Sequence, residues 1–174
     1  MRAARAIVPG AAIWVTGLPA SGKTTLAVAL VEALRASGAV VLHLDSDALR
    51  PHAVGADGFD TTARERFYGL IVYLARLATE AGALVVISAT AHRRAWRDAA
   101  RAAIPRFVEV FLDVDATTCR ARDPKGLWRA AAAGVIDALP GAGVDYEAPS
   151  SPEVRLDADT PRDVAVGSIL AALG

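Results

Sequence analysis

Gly17-Leu18-Pro19-Ala20-Ser21-Gly22-Lys23-Thr24 is the stretch whose reading decides the fold. It fits the spacing G-x-x-x-x-G-K-[ST]. Before it, the apolar run Ala11–Thr16 predicts a buried strand. After it, Lys23–Ser37 places Leu26, Leu30 and Leu34 on one helical face. A glycine-bounded turn between a strand and a helix start is a phosphate cradle. Gly17 and Gly22 let the backbone wrap, and the amide N–H groups and the positive helix end point at phosphate oxygens. The candidate nucleotide-binding residues here are Gly17, Ser21, Gly22, Lys23, Thr24 and Thr25. The Lys23 ammonium neutralises the β- and γ-phosphates, and the Thr24 hydroxyl is the candidate Mg²⁺ ligand. No N-K-x-D sequence is present to select guanine, so ATP is the expected donor.

Outward from the cradle, short apolar runs alternate with helical stretches, the pattern of helices layered on a parallel sheet. Strands are expected at Val40–Leu44, Ala83–Ser88, Phe107–Asp113 and Val154–Asp157. Helices are expected at Thr61–Ala81, Trp96–Ile104, Thr117–Arg122 and Leu127–Ala133. Arg50–Asp60 reads as a loop. Thr160-Pro161-Arg162-Asp163 reads as N-cap, N1 proline and N3 acid of a last helix to Leu173. The fold class is therefore α/β: a P-loop kinase-like three-layer sandwich with a central parallel sheet and helices on both faces. Residues 1–174 make one domain. Pro124, Gly126, Gly134, Pro140, Gly141 and Gly143 break up the 123–148 region, which reads as a mobile lid.

Composition narrows the partners. With 19 Lys+Arg against 19 Asp+Glu the net charge is zero. A nucleic-acid binder needs a basic excess, so none is expected. No apolar run reaches the ~18 residues of a membrane span. Cys119 is the one cysteine, which fits a reducing cytoplasm, and it reads as a core residue. Met1–Arg5 followed by Ala6–Val15 loosely imitates a secretion signal, but that apolar stretch runs straight into the phosphate motif that cleavage would remove. The two lysines, Lys23 and Lys125, stand out among 17 arginines. His43, His52 and His92 show no metal-ligand spacing, and His43 reads as structural.

Asp45 and Asp47 close the second strand at the sheet edge where open parallel sheets bind ligands. Two apart in an extended segment, they point the same way. A carboxylate there orients or deprotonates an acceptor hydroxyl. The alternative is that Asp45 caps the strand end and Asp47 a short turn. Arg50 and Arg64 carry forks suited to phosphate or sulfate. Arg120 and Arg122, just before the lid, are placed to stack on adenine or reach the transferred phosphoryl group.

With these residues in view, nearly the whole chain resembles the adenylylsulfate kinase family. The likeness rests on Gly17–Thr24, on Asp45-Ser46-Asp47-Ala48-Leu49-Arg50, on Gly58-Phe59 with Arg64, and on Phe111-Leu112-Asp113-Val114. Its most specific part is Cys119-Arg120-Ala121-Arg122-Asp123-Pro124-Lys125-Gly126-Leu127-Trp128, continuing to Tyr146-Glu147-Ala148-Pro149. The resemblance implies transfer of the ATP γ-phosphoryl group to the 3′-hydroxyl of adenosine 5′-phosphosulfate (APS), giving PAPS and ADP in sulfate activation. It implies Lys23, Asp45 and Lys125 as catalytic residues, Asp45 meeting the hydroxyl and Lys125 closing over the phosphates. It implies acceptor contacts from Asp47, Arg50, Phe59, Arg64, Phe67 and Leu139, with Phe59 as one wall around the substrate adenine. Trp128 stands where the family usually has tyrosine. Members are often dimers, so a homodimer is an expectation too.

The chain departs from the family pattern on the acceptor side. Phe67 replaces an asparagine. Ala89-Thr90-Ala91-His92-Arg93-Arg94 replaces Phe-Ile-Ser-Pro-Tyr-Arg, and Ala138-Leu139-Pro140-Gly141 replaces Gly-Phe-Thr-Gly. Leu139 in place of an aromatic wall weakens the hold on adenine by about tenfold. Two other readings stay open at this point: a kinase of the same scaffold acting on a different nucleotide-like or anionic alcohol, and a nucleotide-binding module without catalysis.

Overall fold

The structure is a computed structural model, and it describes residues 10–55 and 58–174. Residues 1–9 of the signal-like opening lie outside the described residues, and the rest of it runs into the first strand. Five parallel strands form the central sheet in the order β2-β3-β1-β4-β7: β1 (Ala12–Gly17), β2 (Val41–Asp45), β3 (Leu84–Ser88), β4 (Phe107–Leu112) and β7 (Val154–Leu156). β1 and β4 are buried at every position, as a sheet covered on both faces requires; the one charge among them, Glu109 of β4, is paired with Arg97.

The two faces are legible in β1. Ile13 and Val15 pack with Leu26, Leu30 and Leu34 of α1 (Lys23–Ala36) and with Ala165 and Ile169 of α7 (Arg162–Leu173). Ala12 and Trp14 pack instead with Phe67, Tyr68, Ile71 and Ala75 of α3 (Thr61–Glu80) and Ala100 of α4 (Arg94–Ala103). Side chains that alternate along a strand feed the two layers, which gives the three-layer sandwich expected from the sequence. Among the described residues no helix is long and apolar enough to cross a membrane.

Local chemistry corrects some expectations. Helix α2 (Ser46–Leu49) starts directly after β2, and Asp45 is its N-cap, accepting from Asp47 N–H at 2.9 Å and Ala48 N–H at 3.2 Å. The segment holding both acids is therefore not extended, and the two carboxylates diverge. A short 3₁₀ turn, Arg50–His52, follows inside the expected loop. Thr160 does not cap α7. Its hydroxyl turns back to Asp157 Oδ1 at 2.7 Å, and Pro161 occupies the cap position with no side-chain bond.

The 123–148 segment carries more structure than its punctuation suggests. After α5 (Ala116–Arg122), the Asp123 carboxylate accepts from Trp128 N–H at 3.1 Å and Arg129 N–H at 3.0 Å, opening α6 (Leu127–Ala132). Two-residue strands β5 (Leu139–Pro140) and β6 (Gly143–Val144) pair beyond it. Tyr146 then stacks on Phe111 and shares a 2.9 Å hydrogen bond with the Thr16 hydroxyl.

Candidate active site

The loop after β1 takes its shape from two glycines. A Cβ on Gly17, at φ 150°, would sit 2.8 Å from the Leu112 carbonyl oxygen. Gly22, at φ 104°, is the left-handed N-cap of α1, a conformation that favours glycine. Ala20 holds φ 66° without that freedom, so strain is stored in the cradle itself.

Above this loop lies a cavity of about 1420 Å³, larger than the roughly 300–1,000 Å³ of a site for one drug-sized ligand. That volume accommodates two ligands side by side. Ser21, Gly22, Lys23, Thr24 and Thr25 line one part; Asp47, Arg50, Phe59, Arg64 and Leu139 line another; Arg122 and Lys125 lie along the segment that covers it. The described residues contain no group of His, Cys, Asp and Glu that could hold a metal by itself.

Lys23 Nζ donates to the Leu18 carbonyl at 2.7 Å and the Gly17 carbonyl at 3.1 Å. Burial pulls its pKa down to about 8, with Asp47 and other neighbours opposing. The Ser21 hydroxyl is buried at the cavity wall and has no partner among the described residues, an orphan that an incoming phosphate oxygen satisfies. Thr24 donates its proton to Asp45 Oδ2 at 2.9 Å, which leaves its oxygen lone pairs available. A hydroxyl with its proton committed elsewhere is a chemically suitable Mg²⁺ ligand.

Asp45 stands behind two lining hydroxyls. Its Oδ2 accepts from Thr24 and, at 2.7 Å, from Ser88. Burial raises its pKa, but the Ser88 and Thr24 hydroxyls and the Ala48 and Asp47 amides outweigh that and hold the carboxyl below its usual range. It is ionised at neutral pH, a strong orienting acceptor and a weak base. Asp47 faces the other way and pairs with Lys125 of the covering segment, so the two sides of the cavity mouth meet in one ion pair.

The acceptor-side arginines are engaged. Arg50 donates to the Gly58 carbonyl at 2.9 Å and lies over Phe67 at 3.9 Å and Phe59 at 4.6 Å. Arg64 donates to the Ala138 carbonyl at 2.6 Å and to His92 Nδ1 at 3.0 Å. Because arginine can only donate, Nδ1 must accept, and His92 carries its proton on Nε2. Burial first, and Arg64 and Arg93 next, lower the His92 pKa to about 4.

Four expected site residues are not part of the cavity lining: Gly17, Asp45, Phe67 and Arg120. Phe67 is fully buried and does not line the cavity; it is the floor under Arg50. Arg120 lies outside the lining, its guanidinium over the Trp128 ring at 5.2 Å. Arg122 borders the donor side, donating to the Ala158 carbonyl at 3.2 Å. Ser88, Tyr68 and Thr160 line the cavity without having been singled out from the sequence, and Thr90 and His92 line it from the stretch that departs from the family pattern. For Ser88 the signal was a lone hydroxyl closing the apolar strand Leu84–Ile87 at its ligand edge.

A parallel sheet of this order, a phosphate loop between β1 and α1, and a carboxylate facing it define a P-loop phosphotransferase. The Adenylylsulphate kinase family profile matches residues 9–157. The adenylyl-sulfate kinase of Aeromonas hydrophila is 41% identical over 164 residues, 92% of this chain and 83% of that protein. The probable adenylyl-sulfate kinase of Pyrococcus abyssi is 39% identical over 90% of this chain and 91% of its own length. The structure of the Mycobacterium tuberculosis APS kinase CysC in complex with AMPPNP and APS superposes with a TM-score of 0.89 at 33% identity, covering 95% of this chain and 98% of that one. The chain belongs to the adenylylsulfate kinase family.

Proposed function

We propose that this protein phosphorylates the 3′-hydroxyl of APS with ATP, releasing PAPS and ADP, with Mg²⁺ held at Thr24. The observation that carries this is the two-part cavity: a phosphate cradle at Lys23 on one side and the Arg50–Phe59–Arg64 wall on the other, with Asp45 held behind the lining hydroxyls of Thr24 and Ser88. In this reading Lys23 neutralises charge on the γ-phosphate while Lys125 leaves Asp47 to join it. Asp45, already ionised, accepts the hydroxyl's hydrogen bond and takes its proton late, as a loose phosphoryl-transfer transition state demands. Arg50 and Arg64 offer the phosphosulfate their forks, and Leu139 and Phe59 flank the acceptor base. Thr24 would hold Mg²⁺, which would supply charge neutralisation at the phosphates being cleaved.

Of the replaced positions, His92 and Leu139 line the cavity, and they favour a second reading, an anionic alcohol other than APS. ADP release, coupled to a spectrophotometric readout, is measured with APS and with a panel of nucleotide and sugar-phosphate acceptors. Turnover with APS well above the ATP-only rate is expected. No turnover with APS beside clear turnover with another alcohol overturns the APS assignment.

A further inference from the structure

His43, Ser88 and Asp45 form a hydrogen-bonded line at the ligand edge of the sheet, and nothing in the phosphate motif requires it. Asp45 and Ser88 are register partners on β2 and β3. His43 lies two residues earlier on β2 and so shares the face of Asp45. Ser88 Oγ donates to Asp45 Oδ2 at 2.7 Å, and His43 Nε2 lies 3.0 Å from Ser88 Oγ. A serine hydroxyl has one proton, and here it goes to the carboxylate. The Ser88 oxygen must therefore accept from His43, which fixes the imidazole as the Nε2–H tautomer.

The two oxygens of Asp45 are held differently. Oδ1 is fixed by backbone N–H groups of α2, which cannot rotate away. Oδ2 is held only by side-chain hydroxyls, Thr24 and Ser88. Thr24 faces the phosphates and is committed to the nucleotide side. Ser88 is 2% exposed and is the fixed support of Oδ2, provided its own hydroxyl does not turn. The His43 N–H prevents that turn by occupying the Ser88 lone pair.

We propose that His43 and Ser88 are positioning residues for Asp45: His43 locks the Ser88 hydroxyl, and Ser88 holds the carboxylate at the angle from which it meets the acceptor's hydroxyl. This rests on the reading that Asp45 faces that hydroxyl. The competing role is a cross-strand staple between β2 and β3, which would contribute to stability and leave turnover per folded molecule unchanged.

The experiment uses the full chain with ATP, Mg²⁺ and APS, and compares Ser88→Ala, His43→Leu and His43→Gln with wild type. Ser88→Ala is expected to lower kcat about tenfold, with KM for both substrates within about twofold. His43→Leu lowers kcat about threefold. His43→Gln restores it to within about twofold of wild type, because the glutamine amide N–H can take the place of Nε2–H. In an Asp45→Asn background, Ser88→Ala adds less than about twofold, since both changes act through one carboxylate. Unchanged kcat in Ser88→Ala, or His43→Gln no better than His43→Leu, overturns the proposal. Should Ser88→Ala not fold, the two His43 variants decide alone. Long-range ¹H–¹⁵N spectra of the three histidines supply a readout free of substrate. A His43 Nε2–H tautomer is expected, and Nδ1–H overturns the proposal even if the acceptor proves not to be APS.

Discussion

Arg64 of α3 donates to the carbonyl of Ala138 at 2.6 Å, so an arginine of the acceptor wall also ties down the segment that covers the cavity. The same guanidinium donates to His92, and burial, more than the neighbouring Arg50 and Arg93, lowers its pKa. One fork thus joins α3, the loop before α4 and the covering segment. Arg64→Ala is expected to raise KM for APS at least tenfold while leaving KM for ATP within about twofold. Amide exchange across residues 134–144 should rise in the same variant. Arg64→Lys should recover little, because one ammonium cannot span both acceptors. Equal changes in the two KM values would separate Arg64 from the acceptor.

Lys23 is half-buried and held by two loop carbonyls, which place its ammonium at the mouth of the cradle before phosphate arrives. Lys23→Ala should cut kcat/KM for ATP by about 10²–10³, the scale of losing a preorganised charge at a transition state. Thermal stability should fall little or even rise, since burying that ammonium is unfavourable without its anion. Steady-state kinetics beside a thermal melt checks both halves. Near-normal turnover would remove Lys23 from the donor site.

Trp128 donates its indole N–H to the Pro19 carbonyl at 3.1 Å, and the ring packs beside Gly141, where a Cβ would come within 2.9 Å. The covering segment therefore rests on the phosphate loop through this ring and through Gly141 against Leu18. Nucleotide binding moves the loop's dipoles next to the indole and should change tryptophan emission. Trp128→Phe should abolish the ATP-dependent part of that signal, because Trp14 is buried in the sheet and Trp96 stacks on Tyr68, away from the loop. A persistent signal in the variant would place the reporter elsewhere.

Much of this architecture was legible in the chain. Apolar runs of the right length located the strands, three of them preceded by a helix-stopping glycine or proline (Gly38, Gly82 and Pro105), and the leucines at 26, 30 and 34 showed which face of α1 is buried. The cradle could be read because its chemistry is local: eight consecutive residues supply the turn, the amides, the ammonium and the hydroxyl. What sequence could not supply was direction across space. Asp45 and Asp47 read as a parallel pair because strand periodicity was extended two residues too far; the Asp45 cap ends the strand and sends Asp47 toward Lys125. Arg120 and Phe67 were indistinguishable from lining residues until Trp128 and Arg50 were seen to occupy them. Ser88 joined the site only through a strand pairing forty-three residues away in sequence.

His92 gives the acceptor pocket an acid sensitivity that can be worked out by sign. Its ring is buried beside Arg64, Arg93 and Arg97, with only Glu147 pulling the other way, and its pKa falls from 6.5 to about 4. The unfolded chain takes up a proton near pH 6.5, whereas the folded protein does not until about 4. Between those values the unfolded state binds more protons, so stability is fully present above 6.5 and is lost as pH falls toward 4. His92→Gln, which still offers Arg64 an acceptor oxygen, has no such group to titrate. Melting temperatures at about pH 7.5, 6 and 5 should therefore fall more steeply for wild type than for His92→Gln, whatever the carboxylates contribute to both. Parallel curves would mean that the folded protein protonates His92 as readily as the unfolded chain does, and that Arg64 is not donating to its Nδ1.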